Sequence, residues 1–433
     1  MTNTPYSGLE RRLAAFLDSA PRLRALTKSA YQRANYVLGG WRRQRMRLHP
    51  GATIERIAGS RRDRRAGTRP EECFFGYFGM QPWSLDGSRQ LFHRWRPPDA
   101  RNVEICVRDR RSAAVRVIAE SRAWNFQQGS MAQWLRLDGD ESVLFNDAVG
   151  RTLVCRIVAA DGHERVVPWP VQALHPGCGE ALSINYRRLA RLRPEYGYDV
   201  PADNFSPYLP LDRDGIWRFD LRSGESRLIV PLDRLLDIAP RPDMAGAQHK
   251  VNHAVYSPDG GEFVFMHRWQ GARGRFSRLY VARADGEHLR LLLDDRLVSH
   301  YAWRDDATLL VWARTREQGD RYHLLDVSTG ARSALGAGAL DRFGDGHPSW
   351  SPDRRWIVTD TYPDRARMRK LFVYDTAAQQ LIEVGAFHSP WRYDGPRRCD
   401  LHPRWSPDGR QVSIDSAHEG VRATYVVDVS RLL

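Results

Sequence analysis

Cysteine is scarce in this chain. The 433 residues hold five (Cys73, Cys106, Cys155, Cys178 and Cys399), an odd number with no Cys-x-x-Cys spacing. That argues against a disulfide framework and against a thiolate zinc site, so a reducing cytoplasm is the expected compartment. Long apolar runs are missing too. No stretch of about 18 apolar residues occurs, and no transmembrane helix is expected. The first residues, MTNTPYSGLERRLAAFLDSAPRL, carry arginines inside their apolar part and are not expected to act as a secretory signal. Neither a Gly-x-Ser-x-Gly elbow nor a Gly-x-x-x-x-Gly-Lys-[Ser/Thr] loop is present, which disfavours α/β-hydrolase chemistry and P-loop nucleotide binding.

Acidic residues are in deficit: 66 Lys+Arg against 52 Asp+Glu give a formal net charge of +14. The deficit is local. Residues 1–70 contain 16 Lys+Arg and 4 Asp+Glu, a net of +12, which leaves about +2 for the other 363 residues. A nearly neutral body does not suit nucleic acid. The leader is suited to an anionic membrane surface, where it would make the protein peripheral, to a nucleic acid or to an acidic glycan; the plainer alternative is a solvated arginine-rich extension. Its segments LERRLAAFLDSA and PRLRALTKSAYQRANYVL space apolar residues helically, with Pro21 placed to start a second helix. Residues 1–70 therefore read as a basic, largely helical extension and linker, with one short strand in ATIERIA.

From residue 72 the texture changes to short alternating runs rich in Val, Ile, Tyr, Phe and Trp, separated by Asp-Gly and Pro-Asp-Gly turns. Aligned on the aromatic before each turn, seven units appear. They include FGMQPWSLDGSRQLFHRW, SMAQWLRLDGDESVLFND, NHAVYSPDGGEFVFMHRW and LHPRWSPDGRQVSID. Tyr256 to Trp303 and Trp303 to Trp350 are each 47 residues, and Trp350 to Trp405 is 55. Such a period predicts an all-β fold, a seven-bladed β-propeller over residues 71–433. The last unit is one strand short, and ATIERIA is the candidate to complete it. The third unit carries a long insertion.

A histidine stands four residues before the turn in four consecutive units: His253, His300, His347 and His402. The first strand of a propeller blade lines the central channel, so rotational near-symmetry would gather these imidazoles around the axis. The alternative is a backbone contact repeated in each blade, but the first two units hold Met80 and Met131 at this register and need no histidine. Clustered neutral imidazoles suit a divalent transition metal such as Mn²⁺, Fe²⁺ or Zn²⁺. In the insertion, Arg191, Arg193, Tyr196 and Tyr198 are candidates to line the substrate mouth, or else an ordered surface loop. His267, Arg268, Arg273 and Arg275, in HRWQGARGRFSR, form an anionic-sugar cradle or an exposed basic loop.

The stretch DLHPRWSPDGRQVSIDSAHEGVRATYVVDV resembles the last blade of the oligogalacturonate lyase family, and NHAVYSPDG, SHYAWRDDA and GHPSWSPDR fall where its preceding blades also present histidines. The resemblance covers roughly residues 245–433. It implies a cytoplasmic propeller that cleaves uronate-containing oligo- or polysaccharides by β-elimination with Mn²⁺. It implies His347 and His402 as metal ligands, His300 as the base and Arg278 as the catalytic arginine. Substrate contacts would come from Arg193, Tyr196, Tyr198 and Arg268. One departure stands out: the family's Gln-x-x-His-x-His-Pro is RRCDLHP here, with Arg397 and Asp400 in place of glutamine and histidine. Aspartate can ligate a metal and arginine cannot, so Asp400 and His253 are the candidates to complete the shell. A non-catalytic propeller binding a glycan or protein is the competing reading; a metal-dependent hydrolase or epimerase is a third.

Overall fold

A computed structural model describes residues 46–60, 70–97, 101–295 and 297–433, with the isolated positions 30, 33 and 34. The helices expected in the basic leader up to Gly39 lie otherwise outside the described residues. Seven antiparallel sheets follow one another along the chain, and each is a blade. Blade 1 begins at Glu72–Phe74 and blade 2 at Gln133–Leu137. Blades 3 and 4 begin at Ala173–Leu174 and Gln248–Tyr256, and blade 5 at Leu297–Trp303. Blades 6 and 7 begin at Ser349–Trp350 and Arg404–Trp405. Two short α-helices, Tyr186–Leu192 and Leu232–Asp237, are the only ones among the described residues for which bounds are defined, and none is long and apolar enough to cross a membrane.

The Ser-Pro-Asp phrases are turns with a local cause. In three of them the serine hydroxyl donates to the aspartate two residues on: Ser257 to Asp259, Ser351 to Asp353 and Ser406 to Asp408. This fixes the hairpin between the first and second strands without help from any histidine. The blades then pack sheet on sheet. Val358, Leu371, Ile414 and Val427 are fully buried between blades 6 and 7, and Phe265, Tyr280, Ala181 and Phe219 between blades 4 and 3.

The ring closes as the sequence suggests. Thr53–Ala58 pairs antiparallel with Ala423–Asp428, with Thr53 opposite Asp428, and becomes the outer strand of blade 7. Ile57 packs with Trp83 and Val426, and Glu55 reaches Arg108 of blade 1 at 3.0 Å. A second strand, Met46–Leu48, adds to blade 6 as its fifth, paired to Gly385–Phe387. Its three residues are too short for a periodicity to show. The linker preceding residue 71 thus contributes strands to two blades.

Burial of neutral histidines sets a pH limit on this fold. His93, His323 and His418 are buried, and burial pushes the pKa of each down to about 4. The unfolded chain takes up these protons near pH 6.5 while the folded chain refuses them, so stability falls as pH drops through that window. Each group contributes about 3 kcal/mol to the loss, complete by about pH 4. Urea midpoints measured between pH 7 and 4 should decline steeply; a flat profile would contradict the burial of neutral imidazoles.

Candidate functional site

At two of the four histidines of the register the backbone is bent. His253 and His402 have φ of +56° and +44°, and Met131, at the same register of blade 2, has +56°. A left-handed residue in a strand re-aims its side chain. Met131 shares the bend while Met80, His300 and His347 do not, so it does not follow the histidine.

Three of the four imidazoles adjoin. The rings of His300 and His347 lie 4.4 Å apart between centroids, and those of His347 and His402 also 4.4 Å. Each has a fixed tautomer. Nδ1 of His347 is 2.8 Å from Asp360 Oδ1, and that oxygen also accepts the His347 backbone N–H at 2.9 Å. Nδ1 of His402 is 2.8 Å from the Gly76 carbonyl oxygen, and Nδ1 of His300 is 2.8 Å from Asp345 Oδ1. Carboxylates and carbonyls only accept, so every Nδ1 carries the proton and every Nε2 keeps its lone pair. The Nε2 atoms of His347 and His402 are buried without a hydrogen-bond partner.

Those two histidines and Asp400 form the one group among the described residues spaced to hold a metal ion, with one ligand atom from each all within 4.8 Å. Orphaned lone pairs on imidazoles held from behind by a carboxylate and a carbonyl are the donor arrangement of a metal site, so the residues fit a divalent ion. Asp400 is not free, however. Its Oδ1 is 2.7 Å from Arg369 and its Oδ2 accepts from Arg398 at 2.5 Å. Burial pushes the Asp400 pKa up, but the two guanidiniums outweigh it and hold the carboxyl well below its usual range. Burial, then His347, holds His402 well below the usual histidine range. For His300, burial lowers the pKa and Asp345 opposes.

Aromatic residues wall the cluster. Tyr77 and Phe78 enter the channel from the loop after the first strand of blade 1. Phe78 lies 5.4 Å from His347 and 5.7 Å from His300, and Tyr77 stacks on His253 at 4.7 Å with 5° between planes. Tyr362 stands 5.7 Å from His347. A cavity of about 350 Å³ borders Tyr77, Phe78, His253 and His300.

The other expected residues divide. His253 is not in the metal-spaced group, and the Tyr77 ring stacks on it; the shell is not completed there. Tyr196 is at the site: it meets His253 edge-on at 5.1 Å and its hydroxyl accepts from Arg398 at 2.7 Å. Arg193 lies over the Tyr196 ring at 4.7 Å. Arg268 is close enough to depress both His253 and His300. Tyr198 is elsewhere, stacked on Tyr186 with its hydroxyl accepting from Asn146 at 3.0 Å. Arg278 is elsewhere as well. It sits on the third strand of blade 4, fully buried, 2.7 Å from Asp294 and donating to the Ile238 carbonyl at 3.0 Å. Both bonds are structural ones and leave no donor fork for a substrate. Arg397 turns away to Glu72 at 3.0 Å and to the faces of Trp95 and Phe126, so Arg398 is the arginine that enters.

Asp345, Asp360, Arg369, Arg398, Tyr77 and Phe78 are absent from the sequence-based set. Two of them had a signal. Asp360 follows His347 by 13 residues, as Asp415 follows His402, and Asp345 precedes His347 by two, as Asp400 precedes His402. The repeat has a geometric meaning: Asp345 of blade 6 holds the histidine of blade 5, and Asp400 of blade 7 lies beside that of blade 6.

No family model matches the chain, and no curated protein matches it. Among solved structures it is similar to the oligogalacturonate lyase of Vibrio parahaemolyticus, at 15% identity and a TM-score of 0.58, covering 87% of this chain and 98% of that one. It is similar to an oligogalacturonate lyase in complex with manganese at 18% identity and a TM-score of 0.59, covering 89% and 98%. A puromycin-hydrolyzing peptidase of Mycobacterium tuberculosis shares 13% identity with a TM-score of 0.50, covering 79% of this chain and 50% of that one. At these identities the likeness establishes the propeller fold.

Proposed function

We propose that this propeller is a carbon–oxygen lyase that cleaves a uronate-containing oligo- or polysaccharide by β-elimination, with a divalent transition metal, Mn²⁺, held by His347, His402 and Asp400. One observation carries the reading: three adjoining imidazoles from consecutive blades, each tied through Nδ1–H so that its Nε2 lone pair is left free.

The chemistry needs a base, a sink for charge and a fixed sugar acid. The proton on C5 of a uronate is α to a carboxylate and only weakly acidic. His300 Nε2 takes it; the C5–H electrons form the C4=C5 bond, and the C4–O bond breaks as the departing oxygen collects a proton from water. Asp345 holds His300 in the required tautomer and stabilises the imidazolium that forms. A bound divalent ion would supply Lewis-acid stabilisation of the developing enolate-like charge on the sugar carboxylate. Arg398, anchored between Asp400 and Tyr196, is the guanidinium that would orient that carboxylate, and Arg268 would contact the sugar chain beside it. Phe78, 5.7 Å from His300, sets an apolar ring beside the base.

The five cysteines are all free thiols, which supports a reducing compartment for this activity. The test is direct. Purified protein supplied with Mn²⁺ and a panel of polyuronates should raise the ultraviolet absorbance of a 4,5-unsaturated product with at least one of them, and a chelator should stop it. New reducing ends without that absorbance would mean hydrolysis and sink the elimination.

A further inference from the structure

A second polar concavity opens at blade 4, where Lys250 lies on the strand that also carries His253. It measures about 300 Å³ and is lined by Lys250, Arg268, Arg193 and Arg275, with Glu195 the single carboxylate on its wall. Lys250 and Arg268 are directly opposite each other in the antiparallel ladder of blade 4. Like charges in that relation repel, and folded chains normally place an acid between them. None is here. Lys250 is only 5% exposed and, among the described residues, forms no ion pair or hydrogen bond. Arg268, Arg193 and Arg275 likewise have no carboxylate within ion-pair distance among the described residues, although their chain forms over thirty such pairs elsewhere, Arg398–Asp400 among them. The fold has concentrated four cations in one cleft and left them uncompensated.

A single carboxylate offers about four lone-pair directions in one plane. Three guanidinium forks and an ammonium present many more donors, from several directions. Their match is an anion with three terminal oxygens on a tetrahedral centre. We propose that this cleft binds a tetrahedral oxyanion, a sulfate ester or phosphate monoester, carried by the sugar chain beside the residue that reacts. The link to the reacting sugar is physical: Arg193 covers the Tyr196 ring, and Tyr196 meets both His253 and Arg398. The charge of the cleft stands without the lyase chemistry; that its ligand belongs to the same sugar chain rests on the carbohydrate reading.

Binding should move a proton. Burial, then Arg268, Arg193, Arg275 and Arg191, pushes the Lys250 pKa down to about 7. Glu195 is the only facing carboxylate on the wall. An anion seated among these groups raises that pKa, so the cleft takes up part of a proton when filled at pH 7.5.

The test uses inorganic sulfate, inorganic phosphate and acetate as probes of the full-length protein by calorimetry, in buffers of different ionisation enthalpy. Sulfate or phosphate should bind at least about tenfold more tightly than acetate, with proton uptake. Lys250→Met should abolish the uptake, and both it and Arg275→Ala should weaken the anion by about tenfold. Thermal unfolding checks the fold, and the midpoint of Lys250→Met should not fall, because the substitution removes a repulsion. Phosphate favoured about tenfold over sulfate assigns a phosphate monoester, and parity assigns a sulfate ester. Acetate binding as tightly as both, or binding that neither substitution changes, overturns the proposal. Turnover of an unsubstituted polyuronate with no oxyanion binding overturns the cleft alone; oxyanion binding with no turnover of any uronate overturns the lyase and leaves the cleft.

Discussion

His402→Ala and His347→Ala should each lose stoichiometric Mn²⁺ and, with it, elimination activity by a factor on the order of 10²–10³ or more. The fold should survive both changes, because neither histidine is the sole partner of the group behind it. When His402 is removed, the Gly76 carbonyl still accepts from Arg404. When His347 is removed, Asp360 still accepts the backbone N–H of residue 347, at 2.9 Å, and that of residue 402, at 3.3 Å. Asp360→Asn is the sharper probe. The amide oxygen takes the Oδ1 place, where both the backbone N–H and the Nδ1–H of His347 donate, so the tautomer holds but the charge that makes Nε2 a better donor to the metal is gone. Metal affinity should fall by about 10- to 100-fold with the ligands themselves untouched. Metal content after dialysis, and the electron paramagnetic resonance signal of displaced Mn²⁺, read both outcomes. Full metal retention in His347→Ala and His402→Ala together would remove the centre from this cluster.

His300→Ala should keep its metal and lose about 10²- to 10⁴-fold in turnover, which separates a base from a ligand that lies one ring away. The pH profile adds a signed expectation. Burial lowers the proton affinity of His300, and Asp345 restores part of it. The base form therefore persists below the usual histidine range, and the acid limb of the rate should fall there. Asp345→Asn removes the opposing charge, so the limb should move to still lower pH even as the maximum rate drops, since the tautomer is no longer held. A limb that shifts upward in Asp345→Asn, or metal lost together with His300, would reassign this residue.

The departure at Asp400 also becomes intelligible. A neutral histidine in that position would leave Arg369 and Arg398 buried around it without a counter-charge; the carboxylate satisfies both while leaving an oxygen within reach of the two imidazoles. The carboxylate balances two buried guanidiniums at once, so aspartate and the inward turn of Arg398 belong together. Arg397 and Arg398 are adjacent, yet one faces the Trp95–Phe126 wall and the other the site. The motif resemblance puts Arg397 in the glutamine's place, but adjacent residues of one motif carry no mark of which way each side chain faces.

The chain's local patterns by themselves determined the blades: alternation set the strands, Ser-Pro-Asp set the hairpins, and the period set their number and the channel-facing register. These are short-range properties, fixed by turn chemistry and by the two-residue repeat of a strand, so they are written in contiguous residues. ATIERIA as the closing strand followed from counting. What only the tertiary structure decided is which side chains meet. Tyr77 covers His253 from across the ring, Arg278 is claimed by Asp294, Tyr198 by Asn146, and four cations from three separate segments share one cleft. Those outcomes depend on the direction of side chains brought together by ring closure, through contacts between residues as far apart in sequence as Gly76 and His402, and no local pattern carries that information.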